Sequence, residues 1–252
     1  MKQAPAIRPA LLALAVPALL LAGCGLESVE GKPRMTLFIG VDTSGSFQRS
    51  GQYEDALGFL AHYIYGHLNH LGGLEQPREL FVAAIGGKDP DEPKSFHPIH
   101  DFAGKGVAEI EEDLRRWFAP SDALTDFNPF FQQVARIVKD RNLVLAPVTL
   151  MVVTDGVPDF SVPDARPGSH AMYEKVDLSS LEYLSRRLTL RLAYVSPRVG
   201  ENWRRLVPRR RVRLWTVDAE VMRGWQDQVD PRLAPEAQAD LWEWIRDNVV
   251  GV

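Results

Sequence analysis

The run Met35-Thr36-Leu37-Phe38-Ile39-Gly40-Val41 passes without a gap into Asp42-Thr43-Ser44-Gly45-Ser46, and its reading decides the fold class. The first seven residues are apolar almost throughout and do not alternate, so they suit a strand covered on both faces. Strands of that kind lie inside parallel sheets clothed by helices. The oxygen-bearing residues that follow emerge at the strand's C-terminal end, the edge at which open α/β sheets bind ligands. Oxygen donors two residues apart can meet at one cation when the chain turns sharply, and Gly45 is read as the residue that permits the turn. A carboxylate with two hydroxyls suits a hard ion such as Mg²⁺ or Mn²⁺ and suits Zn²⁺ poorly.

Outward from this stretch, apolar runs of strand length alternate with segments of helical periodicity, the pattern of a mostly parallel sheet between helices. Leu57, Leu60, Ala61, Ile64, Leu68 and Leu71 predict a helix over 53–71 with one core face. Leu80–Ile85 and Phe96–Phe102 predict an antiparallel edge pair joined through Gly86-Gly87-Lys88-Asp89-Pro90, since Pro98 fits only an edge. Val107, Ile110, Leu114 and Trp117 mark a helix. Another begins near Asn128-Pro129, with Asn128 as N-cap. Strands follow at 148–154, 188–195 and 212–217, with helical segments at 178–187, 201–206 and 236–248. The last should bury Ala237, Leu241, Trp244 and Ile245. Trp117, Trp215 and Trp244 fit core positions, whereas Trp225 and Trp242 have room to be exposed. The expected fold class is therefore α/β, a doubly wound, mostly parallel sheet with one antiparallel edge strand and helices on both faces.

Two further segments complete the constellation: Ala123-Leu124-Thr125-Asp126-Phe127-Asn128-Pro129 just before a helix, and Val152-Val153-Thr154-Asp155-Gly156 at the end of a buried strand. With Asp42-x-Ser44-x-Ser46, this ensemble resembles the von Willebrand factor A family and its metal-ion-dependent adhesion site. The resemblance implies a Rossmann-like fold and a metal site of Asp42, Ser44, Ser46, Thr125 and Asp155. By the same resemblance Ser44 and Ser46 touch the metal directly, Thr125 directly or through water, and Asp42 and Asp155 mostly through water. It also implies a protein partner that supplies an acidic residue to the ion. The chain departs from the family where Asp122-Ala123-Leu124 stand in place of the glycines that often precede the threonine. Asp126 reads first as an exposed loop residue.

The N-terminus points to the cell envelope. Lys2 and Arg8 precede an apolar run, Ala10–Leu21, that is too short to span a bilayer and ends in Ala22-Gly23, as a signal peptide does. Leu21-Ala22-Gly23-Cys24 resembles the lipobox of bacterial lipoproteins, which implies acylation of Cys24 and cleavage before it. Cys24 is the only cysteine of the chain, so it has no internal disulfide partner. The expected organisation is a signal peptide at 1–23, a lipidated tether at 24–34 and one domain at 35–252. Gly25 after the cysteine implies the outer membrane, facing the periplasm, if the host is Gram-negative. Removing Lys2 and Arg8 from the 29 basic residues leaves 27 against 33 acidic ones, a formal charge of −6 that disfavours nucleic acid as a partner.

An enzymatic reading lacks its usual motifs. There is no Gly-x-Ser-x-Gly elbow and no Walker loop, and Gly104-Lys105-Gly106 lacks a third glycine. Asp42 resembles the nucleophile of phosphoaspartate hydrolases, but Ser44 stands where their second Asp belongs. No catalytic residue and no small-molecule substrate is expected. His62, His67 and His70 read as polar surface. Arg204, Arg205, Arg209, Arg210, Arg211 and Arg213 read first as a solvated loop and second as a contact for lipid headgroups or an acidic partner. Two other functions compete with metal-dependent binding. One is a structural or assembly lipoprotein with a vestigial site that binds through the 158–175 segment, and the other is a hydrolase that uses the metal to activate water.

Overall fold

A computed structural model describes residues 32–86, 95–120, 124–160, 166–184 and 188–251. The signal-peptide, lipobox and Cys24 assignments lie outside the described residues, as do the turn at 87–90 and Asp122-Ala123. No helix among the described residues is long and apolar enough to cross a membrane.

The chain runs β1 (Thr36–Asp42), α1 (Gly45–Arg49), α2 (Tyr53–Leu68), β2 (Glu79–Ile85), β3 (His97–Pro98), α3 (Val107–Trp117), α4 (Asn128–Asp140) and β4 (Val148–Val153). It continues with α5 (His170–Tyr173), α6 (Ser179–Glu182), β5 (Thr189–Val195), α7 (Pro197–Leu206), β6 (Arg213–Asp218), α8 (Ala219–Met222) and α9 (Ala239–Ile245). The strands form one six-stranded sheet in the order β3-β2-β1-β4-β5-β6. All neighbours are parallel except β2 and β3, so the doubly wound architecture with an antiparallel edge is present.

Every residue of β1 is buried, and its side chains alternate between two cores. Leu37, Ile39 and Val41 join α1, α2, α3, α8 and α9, whereas Phe38 joins α4, α6 and α7. On the second face Phe38 stacks on Phe81 with ring centroids 5.0 Å apart, and Phe96 stacks on Phe130 at 5.9 Å. Such pairs contribute about 0.5–1.5 kcal/mol each beyond simple burial.

Several expectations need correction. The predicted strand 96–102 shrinks to His97–Pro98, because Ile99–Asp101 turns into a short 3₁₀ segment. His97 instead stacks on Trp117 at 3.8 Å. Helix α2 stops at Leu68 and is buried nearly all round, including His67, because it packs on α3 and shares one core with residues of β1 and α9. Asn128 does not cap α4: its amide nitrogen donates to the Lys175 carbonyl and its amide oxygen accepts from the Asp177 N–H, which ties the helix start to a distant loop. Asp126, half-buried, accepts from the Asn128 N–H at 2.9 Å in its stead. Of the segment read as 178–187, one turn, α6, is helical among the described residues.

The C-terminal helix starts later than expected, at Ala239, continues past Ile245 as a π-turn over Arg246–Val250, and is rotated. Ala237 is exposed, Trp242 is 2% exposed with its indole N–H donated to the Pro235 carbonyl, and Trp244 is only half-buried. Trp225 is buried, whereas Trp215, on edge strand β6, reaches solvent. Arg191 points inward from β5 and donates to the carbonyls of Val249 and Val250, both at 2.8 Å. A cation at the orphan carbonyls of a helix end is favourable, and this one fixes the end of the chain to the sheet.

Candidate metal centre

The sheet order places the site. From β1 the chain first crosses outward to β2 and later returns to β4 on the other side of β1, so the connections diverge between β1 and β4. A crevice opens at such a switch point, beyond the C-terminal ends of the strands. Asp42 ends β1 there, and Asp155 lies two residues beyond β4. Thr125 arrives in the loop before α4, and the Asp159 N–H donates to its carbonyl at 3.0 Å, joining the second and third loops.

Ser44 is the N-cap of α1, with its hydroxyl accepting from the Phe47 N–H at 3.4 Å. The sharp turn is thus made by the start of a helix, and Gly45, its first residue, does not take a positive φ. That corrects the expected role of Gly45. The first helical turn carries Ser46 back toward Ser44, and the two hydroxyls share a hydrogen bond at 3.1 Å. Ser46 also hydrogen-bonds the Asp155 carboxylate.

Asp42 is wholly buried. One carboxylate oxygen accepts from the Ser44 N–H at 2.9 Å and the other from the Thr154 hydroxyl at 2.5 Å. Thr154 in turn accepts from the Gly156 N–H at 2.8 Å. Gly156 itself has φ 73°, and a Cβ there would lie 2.8 Å from methyls of both Val195 and Val199. The conformation and the close approach both demand glycine. Trp203, 0% exposed, donates its indole N–H to the Gly156 carbonyl at 2.8 Å and so props this loop from below.

The electrostatics of the cluster are those of an unmet negative charge. Burial, followed by the charge of Asp155, pushes Asp42 up to about 6 against the hydrogen bonds from Thr154 and Ser44. Asp155 is raised too, mainly by burial, against the Val157 N–H, Ser46 and Arg49. Raised carboxyl pKa values in a shared site mean that ionising both is unfavourable without a cation. Among the described residues no group of three His, Cys, Asp or Glu side chains is placed to hold a metal, so a cation here would rest on hydroxyls as well as carboxylates.

A cleft of about 440 Å³ opens over the hydroxyls, lined by Ser44, Ser46, Thr125, Arg49, Asp159 and Pro167 among others. The five candidate residues are therefore brought to one rim. The histidines are elsewhere. His62 pairs with the Gly58 carbonyl, and His67 donates to the Glu75 carbonyl at 2.7 Å. Burial depresses the His67 ring to about 4, which corrects its reading as surface. Sequence reasoning missed Thr154, Arg49 and Asp159. Thr154 carried a signal, since it directly precedes Asp155 on a strand parallel to β1. Asp159 lay in the 158–175 segment already read as a possible binding element, and Arg49 carried no signal.

The molecule is thus an open doubly wound α/β domain with hydroxyls and carboxylates gathered at its switch point. No protein-family model matches the sequence, and no curated protein matches it by sequence. Among solved structures it is similar to the pilus adhesin SpaC from Lactobacillus rhamnosus GG, with a TM-score of 0.52 and 11% identity over 79% of this chain. That likeness shows a shared fold. The SpRpn10 VWA domain has a TM-score of 0.46 at 10% identity, covering 86% of this chain and 96% of that one. Manganese-loaded Plasmodium vivax TRAP protein has 0.45 at 17%, covering 74% and 69%. Scores below one-half leave these two as likenesses and no more. The chain spans less than half of several solved chains that it matches, 30% in the case of SpaC.

Proposed function

We propose that the chain is a von Willebrand factor A-like binding domain that holds Mg²⁺, or Mn²⁺, through Asp42, Ser44, Ser46, Thr125 and Asp155 and uses it to bind a protein partner. The observation that carries this reading is the pair of hydroxyls 3.1 Å apart beside the buried Asp42 and the half-buried Asp155 carboxylates. Adjacent ligands of an octahedral ion with ~2.1 Å bonds lie ~3.0 Å apart, so Ser44 and Ser46 are spaced as one edge of that octahedron. Asp42 orients the first hydroxyl loop through the Ser44 N–H and joins it to the third through Thr154. Ser46 and Asp155 hold each other. The bound ion would supply an electrophilic face open to the cleft, because the site offers few direct ligands and low charge. An aspartate or glutamate of the partner is the matching ligand.

The role is binding, without chemistry. The 158–175 segment belongs to the same cleft through Asp159 and Pro167, so it supports recognition beside the ion. Cys24 would be acylated and anchor the domain in the envelope, at the outer membrane facing the periplasm in a Gram-negative host. Cross-linking in membranes should capture a partner with Mg²⁺ present, and chelator should weaken that complex at least about tenfold, a typical coupling between two bound ligands. Equal dissociation constants in Mg²⁺ and in EDTA would sink the metal bridge.

A further inference from the structure

Five parallel strands begin on the opposite rim, and their entries carry arginine. Arg78 immediately precedes β2, Arg34 stands two residues before β1, and Arg210, Arg211 and Arg213 lead into β6. The rim is knitted by backbone hydrogen bonds. The Arg78 N–H donates to the Met35 carbonyl at 2.8 Å, the Thr36 N–H to Pro147 at 2.9 Å and the Arg213 N–H to Leu188 at 3.1 Å. From β2 to β6 the sheet order gives four strand spacings, ~19 Å.

Between the two arginine groups, at the entry to β4, Leu145 is 98% exposed on a tight turn. A cleft of about 420 Å³ beside it is lined by Arg34, Arg78 and Pro147 among others.

The basic run of the sequence divides in two. Arg204 and Arg205 pair with Glu201, and Arg209 donates to the carbonyls of Trp203, Arg204 and Val207 at the end of α7. Arg34, Arg78, Arg210, Arg211 and Arg213 are all exposed and make no ion pair among the described residues. Two nearby carboxylates are engaged. Glu79 holds Arg141 at 3.6 Å, and Glu182 accepts from the backbone N–H groups of Arg210 and Arg211.

We propose that this rim, Arg34, Arg78, Arg210, Arg211 and Arg213 around Leu145, is a docking surface for anionic phospholipid headgroups, with Leu145 entering the interface. A row of unpaired arginines with an apolar side chain projecting from its middle matches a charged surface with an apolar layer beneath. Lipidation at Cys24, proposed above, would keep Arg34 within the ~36 Å extended reach of ten residues from the bilayer, close enough for this rim to meet it.

The test uses the processed chain from residue 24 with Cys24→Ser, which cannot be acylated, in EDTA so that the metal centre plays no part. It is sedimented with phosphatidylcholine vesicles with and without about one-third phosphatidylglycerol. Binding to the anionic vesicles alone, lost in high salt, is expected. Each charge removed should weaken it about fivefold, so R78E/R210E/R213E should weaken it more than a hundredfold while melting as the parent does. Leu145→Ser should weaken it severalfold, and Arg78→Ala gives a milder arm if the triple variant unfolds. No binding, equal binding to both vesicles, tighter capture by polyglutamate than by vesicles, or an unaffected triple variant would each overturn the proposal. Failure here would leave acylation of Cys24, read by mass in membranes, as a separate question.

Discussion

At the C-terminal rim the sheet ends in a buried and a half-buried carboxylate, Asp42 and Asp155, both hydrogen-bonded and raised in pKa. At the N-terminal rim it begins with exposed arginines whose side chains make no ion pair among the described residues. The backbone is the same parallel sheet at both ends, so the contrast lies in what surrounds each charge. Asp42 is enclosed by three loops that converge at the switch point, and its position is set by Ser44, Thr154 and the glycine behind them. The arginines are held through their backbone, at Arg78, Arg210, Arg211 and Arg213, while their side chains make no ion pair among the described residues. The first arrangement recognises one small ion at fixed geometry, and the second acts at longer range and depends on salt.

The largest expected effect breaks the scaffold of the first rim. Gly156→Ala combines a positive φ with a Cβ 2.8 Å from two valine methyls. Backbone strain and overpacking at about 1–3 kcal/mol each should lower stability by about 3 kcal/mol in urea unfolding. A midpoint within error of the parent would mean that the third loop is not held as described.

Next comes Asp42→Asn, which keeps the shape and removes the repelling charge. In EDTA at neutral pH it should melt no lower than the parent, yet lose the ~2.7 kcal/mol that a hundredfold excess of Mg²⁺ over its dissociation constant gives a native-state site. A retained metal shift would place the ion elsewhere.

A pH series sharpens the comparison further. A carboxyl raised in the folded state binds its proton more tightly there than in the unfolded chain, so ionising it disfavours the fold. Without metal, the Asp42 contribution should fall as pH rises from 3.8 toward about 6 and stay lost above that. Asp155, Asp126 and Asp159 are shifted in the same direction by burial. With Mg²⁺ the trend should reverse, because binding needs the ionised forms, and affinity should drop below about 6. Parallel melting curves in EDTA and Mg²⁺ across that range would contradict the site. The smallest effect belongs to the other rim: Arg78→Glu should change stability by under about 0.5 kcal/mol, as expected of an exposed, unpaired side chain.

The same contrast explains how much was legible in the sequence. β1, β2 and β4 are buried on both faces, so they appear as continuous apolar runs, and Asp42, Ser44, Ser46 and Asp155 are legible because they directly follow two such runs. Thr125 is legible as the oxygen donor just before a helix start. Side chains placed by partners far along the chain were not. Asn128 was read as a cap from its position before proline, but Lys175 and Asp177 claim its amide. Trp242 and Trp244 are two residues apart on a short helix, and which one faces the core depends on where the Pro235 turn starts it. His67 has a polar name and a core position, because the Glu75 carbonyl satisfies one nitrogen inside. The arginine rim is legible only once the strand order is known, since its members come from residues 34, 78 and 210–213.

The central claim is that the hydroxyls and carboxylates of the C-terminal rim form one metal site. Titration calorimetry of Mg²⁺ into the parent chain, Ser44→Ala, Ser46→Ala and Asp155→Ala tests it most directly. The account predicts saturable binding by the parent, at least about tenfold weaker in each variant, with Ser44→Ala also losing a helix cap worth about 1 kcal/mol. Undiminished Mg²⁺ affinity in all three variants would contradict it.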